Sequence, residues 1–244
     1  MKSKIESLQV MRGIAALSIV YYHTEYGFWH NANWGIDFFL ILSAFLLAYT
    51  SDESKNDSKR YWVNKLTKIV PLYWLTSLMV SVIVAVKPEV FRSSILSAET
   101  LVKSLLFIPC YCQGGRIYPI YSLGWTMNYE VFFYLIFFIS MHSWFEHRNI
   151  LCVAILLTLT LIGLIYTGEN AMILFWTDRR LVDFISGILL AVLWQKFEPK
   201  LNIRLHNRRI FWIWGALQYS CFILKEYSWV NIACHGILFC HLHL

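Results

Sequence analysis

Of 244 residues, 58% are hydrophobic and 15% charged, and the formal net charge is +6; an ordinary soluble domain has about 25% charged residues. That composition excludes a disordered tail and leaves too little polar surface to coat a water-soluble globule. The apolar residues fall into blocks of fifteen to nineteen, the length of a bilayer crossing, so the chain reads as an integral membrane protein.

The blocks lie at residues 8–22, 34–50, 69–86, 123–141, 150–166, 181–197, 210–224 and 229–244. They predict an all-α fold, a polytopic membrane helix bundle of about eight crossings, organised as one domain over residues 1–244. The first and seventh blocks are short for about 30 Å of hydrocarbon, so flanking residues extend them or the bilayer thins there. Arg12 interrupts the first block and no small-residue cleavage site precedes the second, which argues against a removable leader. With the N-terminus placed inside, the inner segments hold thirteen lysines and arginines and the longer outer segments seven, which predicts a cytoplasmic N-terminus. The net positive charge is this inner collar; no basic face with interleaved aromatics stands apart from it, so a nucleic-acid partner is not expected.

The long outer connection, residues 87–121, carries Ile95, Ala98, Val102, Leu105 and Leu106 at helical spacing, which predicts an amphipathic helix on the outer surface. Gly187 and Ala191 form a small-xxx-small pair suited to close helix packing. Cys152, Cys221, Cys234 and Cys240 sit in apolar blocks as small hydrophobes, and the Cys110-x-Cys112 pair lacks the further ligands a metal needs.

Four ionisable groups fall where lipid is expected, and such groups are functional candidates by default: Arg12, His23, Asp37 and Glu130. Arg12 and His23 differ by about 20° around a helix and about 16 Å along it, so they share one face at opposite depths. The predicted sidedness brings His23, Asp37 and Glu130 toward the outer half, with Asp183, Arg179 and Arg180 beginning a later helix on that side. Glu130 lies in a polar stripe with Thr126 and Tyr134, four residues to either side. Lys65, Lys68 and Arg12 gather at the inner side. An imidazole held by a carboxylate is a general base for a hydroxyl, and an inner cationic patch suits a phosphate-bearing cofactor. Periodicity alone does not separate an acyl-transfer site from the proton relay of a coupled transporter.

Five segments, in order, resemble the acyltransferase 3 family of integral-membrane O-acyltransferases. Met11-Arg12-Gly13-Ile14-Ala15-Ala16-Leu17 with Val20-Tyr21-Tyr22-His23 resembles its first-helix pattern, an Arg, ten residues, then His. Gly35-Ile36-Asp37-Phe38-Phe39-Leu40-Ile41-Leu42-Ser43-Ala44-Phe45 is similar to the second-helix motif, with Ala44 in place of a usual Gly. Lys65-Leu66-Thr67-Lys68-Ile69-Val70-Pro71-Leu72-Tyr73-Trp74 resembles a basic stretch in which two arginines are usual. Gly124-Trp125-Thr126-Met127-Asn128-Tyr129-Glu130-Val131-Phe132-Phe133-Tyr134 is similar to the branch that acts on polysaccharides and exopolysaccharides, and Asp183-Phe184-Ile185-Ser186-Gly187 resembles a later acidic segment.

The resemblance implies an acyl-CoA donor, usually acetyl-CoA, bound from the cytoplasm, and as acceptor a glycan or lipid-linked saccharide on the outer side, with no metal. In a bacterium this is the inner, plasma membrane. By position it makes His23 the catalytic histidine and Glu130 its acidic partner. Arg12, Lys65 and Lys68 fall on the donor side, and Asp37, Ser43, Tyr73, Trp125, Tyr134, Arg179 and Asp183 become supporting or substrate-side residues. The lysines lack the bidentate fork that arginine offers a phosphate. Tyr134, Trp125 and Arg179 are candidate donors to the oxyanion of a tetrahedral intermediate. Family members have about ten crossings where eight are read here, so the expectation is a C-terminally short chain lacking the last two helices. An inactive remnant and a proton-coupled transporter are the alternative readings. Oligomeric state is not readable from the sequence.

Overall fold

The structure is a computed structural model that describes residues 6–22, 34–51, 58–91, 96–112 and 115–201. His23, the blocks at 210–224 and 229–244, and Cys221, Cys234 and Cys240 lie outside the described residues. Among the described residues the chain is helical, with no strand beyond an isolated bridge between Tyr111 and Ile117. The helices are α1 (Glu6–Tyr22), α2 (Trp34–Thr50), α3 (Ser58–Val86), α4 (Ala98–Leu105), α5 (Trp125–Ser143), α6 (Arg148–Ile165), α7 (Ala171–Trp176) and α8 (Leu181–Leu201). Two of them, Lys59–Val86 within α3 and Phe145–Ile165 around α6, are long and apolar enough to cross a bilayer. Their outward residues are apolar: Leu72, Leu75, Met79 and Val82 on α3, and Ile150, Leu157, Leu161 and Leu164 on α6, are exposed.

The described residues fall into two compact units: those up to Phe39 with those from Lys196 onward, and Leu40–Gln195. In the first unit Leu8, Met11 and Ala15 recur every three or four residues as the buried face of α1. Gly35 lets α2 approach α1 closely, because a Cβ there would lie 3.2 Å from the Ala15 carbonyl oxygen and 3.2 Å from Ile19 Cγ1.

The second unit is built around α5, which is apolar on nearly all sides and buries Tyr129, Phe133, Tyr134, Ile136, Phe137 and Met141. It packs on α3 and α6. Aromatic pairs fix its other neighbours: Phe133 stacks on Phe184 of α8 at 4.3 Å, Tyr129 on Phe175 of α7 at 3.9 Å, and Trp62 of α3 on Phe138 at 5.0 Å. Close approach of α8 to α2 depends on Gly187, where a Cβ would stand 2.6 Å from Ala44 Cβ. The small-residue pair read from the sequence thus faces α2, with Ala191 fully buried.

Two elements differ from the sequence reading. The third helix starts at Ser58 and not near residue 69, because the mixed run Ser58 to Lys68 is too polar to count as an apolar block but holds no Gly or Pro to stop a helix. Helix α7 lies in a connection predicted as a loop, and Asn170 caps it by accepting from the Met172 and Ile173 amides at 3.0 and 3.3 Å. The amphipathic helix of the long connection forms as α4, opened by a capping box of Ser97 and Thr100. Part of the apolar face read from the sequence stays exposed. Leu101 and Ser104 point inward and Val102 and Leu106 outward. Ser104 is satisfied there, its Oγ accepting from the Ile120 amide at 2.7 Å and its carbonyl from the Tyr73 hydroxyl at 3.0 Å.

Candidate functional site

The predicted site residues that the second unit brings together lie at three levels along α5, which rises about 27 Å from Trp125 to Ser143. Between one and two turns into it, the Glu130 side chain is 1% exposed, deep enough that an unpartnered carboxylate would be untenable. Ser43 of α2 donates its Oγ–H to Glu130 Oε1 at 2.5 Å, a charge-assisted bond between two buried residues 87 positions apart. That bond fixes one carboxylate oxygen and ties α2 to α5 at the level of the charge.

About 12 Å further along α5 lies a narrow cleft lined by Leu47, Tyr61, Trp62, Lys65, Tyr134, Phe137, Phe138 and Met141. Lys65 places its ammonium 5.2 Å from the Tyr61 ring. Trp62 Nε1 is buried and has no hydrogen-bond partner among the described residues. Lys68 is exposed one turn along from Lys65, on the same side of α3. A cation, aromatic rings and a buried indole donor thus border a cleft with room for about one water molecule.

At the opposite end, Trp125 opens α5. Tyr118 tilts against it at 6.4 Å and Tyr129 meets it edge-on at 5.8 Å. The Arg180 guanidinium lies 4.5 Å from the Trp125 ring centre and pairs with Asp178 at 3.6 Å. Arg180 takes this position in the turn that precedes α8, next to the predicted Arg179. Asp183, predicted beside it, is buried on α8 next to Phe184. Tyr111 ties the two loops of this end together, its hydroxyl donating to the Glu169 carbonyl at 2.6 Å.

Tyr73 lies apart from these levels. Its hydroxyl holds α4 through Ser104, and its ring stacks on Phe107 at 4.5 Å and leaves room only for a glycine at position 124. In the first unit, Arg12 is half-buried with its guanidinium 5.0 Å from the Phe39 ring, and Asp37 sits in the first turn of α2, where the helix dipole favours a carboxylate. Sequence reasoning placed Arg148 among the inner topogenic charges. It is buried at the start of α6, where Nε donates to Ser51 Oγ at 2.7 Å and Nη1 to the Phe145 carbonyl at 3.0 Å. No sequence signal marks it off from its exposed neighbours.

An all-helical fold with bilayer-length apolar helices and a buried, serine-anchored carboxylate defines a membrane-associated helical protein with a polar centre. The family model described as an acyltransferase domain matches residues 5–244, and the chain belongs to the acyltransferase 3 family. An exopolysaccharide production protein, ExoZ of Rhizobium meliloti (strain 1021), is 29% identical over 164 residues, 66% of this chain and 51% of its own length. The O-acetyltransferase OatA of Staphylococcus aureus (strain NCTC 8325 / PS 47) is 26% identical over 227 residues, 82% of this chain and 36% of its own. The peptidoglycan O-acetyltransferase OatA of Listeria monocytogenes is 23% identical over 242 residues, 90% of this chain and 39% of its own. The chain thus spans about half or less of the length of these relatives. No solved structure matches it.

Proposed function

We propose that the chain is an integral-membrane O-acyltransferase, one domain of about eight crossings with a cytoplasmic N-terminus in a bacterial plasma membrane. It moves an acyl group, acetyl foremost, from cytoplasmic acyl-CoA to a sugar hydroxyl of a cell-surface polysaccharide or its lipid-linked precursor. Family membership and the relatives' names support acyl transfer to a glycan. The observation that carries the reading at the level of residues is the buried Glu130 carboxylate anchored by Ser43.

In this reading Lys65 and Lys68 hold the CoA phosphates as point charges, the cleft beside Trp62 takes the adjoining part of the donor, and Arg12 assists from α1. His23 takes the proton of the acceptor hydroxyl, whose oxygen attacks the thioester carbonyl. The carbon–sulfur bond breaks, and the CoA thiolate leaves with the proton that the imidazolium returns. The alternative route passes the acyl group briefly through the His23 nitrogen. Glu130 orients the imidazole, with Asp37 as a second acidic partner, and Trp125, Tyr134 or Arg179 donates to the oxyanion.

The test uses purified protein in vesicles supplied with radiolabelled acetyl-CoA on one side and an oligosaccharide on the other. Label appearing on the sugar, and lost in His23→Ala and in Glu130→Gln, is the expected result. Proton-coupled solute flux without label transfer would overturn it in favour of a transporter.

A further inference from the structure

The end of α5 remote from the Lys65 cleft carries a second set of groups. Asp178 and Arg180 are 29% and 38% exposed, so both present polar edges to a ligand while remaining held. The Arg180 backbone amide donates to Asp178 Oδ1 at 2.8 Å, and its guanidinium lies over the Trp125 ring and hydrogen-bonds Tyr129. Such an arrangement leaves in-plane N–H donors on one residue beside a carboxylate acceptor on the other. Aromatic rings, Tyr118, Trp125 and Tyr129, flank the pair. Along α5 Glu130 lies about 7.5 Å from Trp125 and about 140° around the helix from it.

We infer that Asp178, Arg180 and Trp125 form a saccharide subsite that recognises an uncharged pyranose by its neighbouring hydroxyls. Asp178 accepts from one hydroxyl, Arg180 donates to the next, and the aromatic rings cover the sugar's apolar C–H face. The cation and the carboxylate offset each other, so the subsite selects a neutral ring over a uronate. This rests on the acyl-transfer reading only for the ring's role as acceptor; binding itself does not depend on it.

The full chain in detergent is mixed with cellotetraose, chitotetraose or tetragalacturonate, and binding is read by saturation-transfer NMR, then acetyl transfer from acetyl-CoA is measured. A neutral tetrasaccharide is expected to bind. Asp178→Asn and Arg180→Lys are each expected to raise its dissociation constant and its acceptor KM about tenfold, with the KM for acetyl-CoA and the melting temperature unmoved. Wild-type acceptor KM in both variants, equal losses in donor KM and melting temperature, preference for tetragalacturonate, or no binding of either neutral sugar would overturn the subsite. Neutral-sugar binding sensitive to Asp178→Asn but with no acetyl transfer by the wild type would support the subsite and overturn the acyltransferase reading.

Discussion

Gly187→Ala connects helix packing to the candidate site. A Cβ on Gly187 would stand 2.6 Å from Ala44 Cβ and 3.0 Å from Phe45 N, with the Ile41 carbonyl oxygen closer still. Carbon atoms settle about 3.5–4.0 Å apart, so α2 and α8 must part by about 1 Å. The obstacles are backbone and a methyl group, which have no flexible tip to swing aside. Overpacking of this kind costs about 3 kcal/mol, and the better helix propensity of alanine offsets about 1 kcal/mol of it. A net loss near 2 kcal/mol is expected. Ser43 lies between Ile41 and Ala44, so the same shift stretches the 2.5 Å bond to Glu130 beyond hydrogen-bonding range. The assays are thermal unfolding in detergent and acetyl transfer to glycan. The expected outcome is a lower melting temperature with a proportionally larger loss of transfer. A variant that melts higher than the wild type and transfers at the same rate would refute the close approach of the two helices.

Tyr73→Phe removes the donor to the buried Ser104 carbonyl while keeping the ring, at an expected cost of about 1 kcal/mol and no change in donor KM; an unchanged melting temperature would contradict the bracing role. Arg148→Lys is expected to lose about 1–3 kcal/mol, because an ammonium cannot reproduce both the Ser51 and Phe145 bonds and the contact of the guanidinium with the Phe145 ring; full stability of the lysine variant would contradict this. Burial pushes the Cys110 thiol above its ordinary range, so the folded chain keeps a proton that the unfolded chain has already lost. Its contribution to stability is full below the ordinary thiol range and declines as pH rises through it. Alkylation of Cys110 by iodoacetamide should turn on at higher pH in the folded protein than in the denatured chain, and coincident profiles would contradict it.

The helices were legible where apolar blocks had sharp polar borders. Residues 34–50 matched α2 because that run is apolar but for Asp37, and the last described helix began at Leu181, directly after the charged run Asp178 to Arg180. The first three turns of α3 were not legible, since a helix leaving an apolar layer needs no apolar residues. At six residues, α7 is shorter than any periodicity can show, and only the Asn170 cap announced it. Glu130 was legible because a carboxylate in an apolar run stands out. Its partner was not: Ser43 was read from a motif, and one serine in a helix says nothing about a contact 87 residues away. The contact of Arg180 with Trp125 was not legible either, because it depends on the conformation of the turn before α8. For α4, spacing gave the helix, but the buried hydrogen bonds of Ser104 to Ile120 and Tyr73 were not legible in it.

The most direct measurement is a double-mutant cycle on acetyl transfer, with the wild type, His23→Ala, Glu130→Gln and the double variant assayed at saturating acetyl-CoA and glycan. If the imidazole and the Ser43-anchored carboxylate act as one unit, each single change lowers the rate about a hundredfold or more and the double variant is no slower than the worse single one. Wild-type rates for Glu130→Gln, or losses that simply multiply, would show that the buried carboxylate only holds helices together.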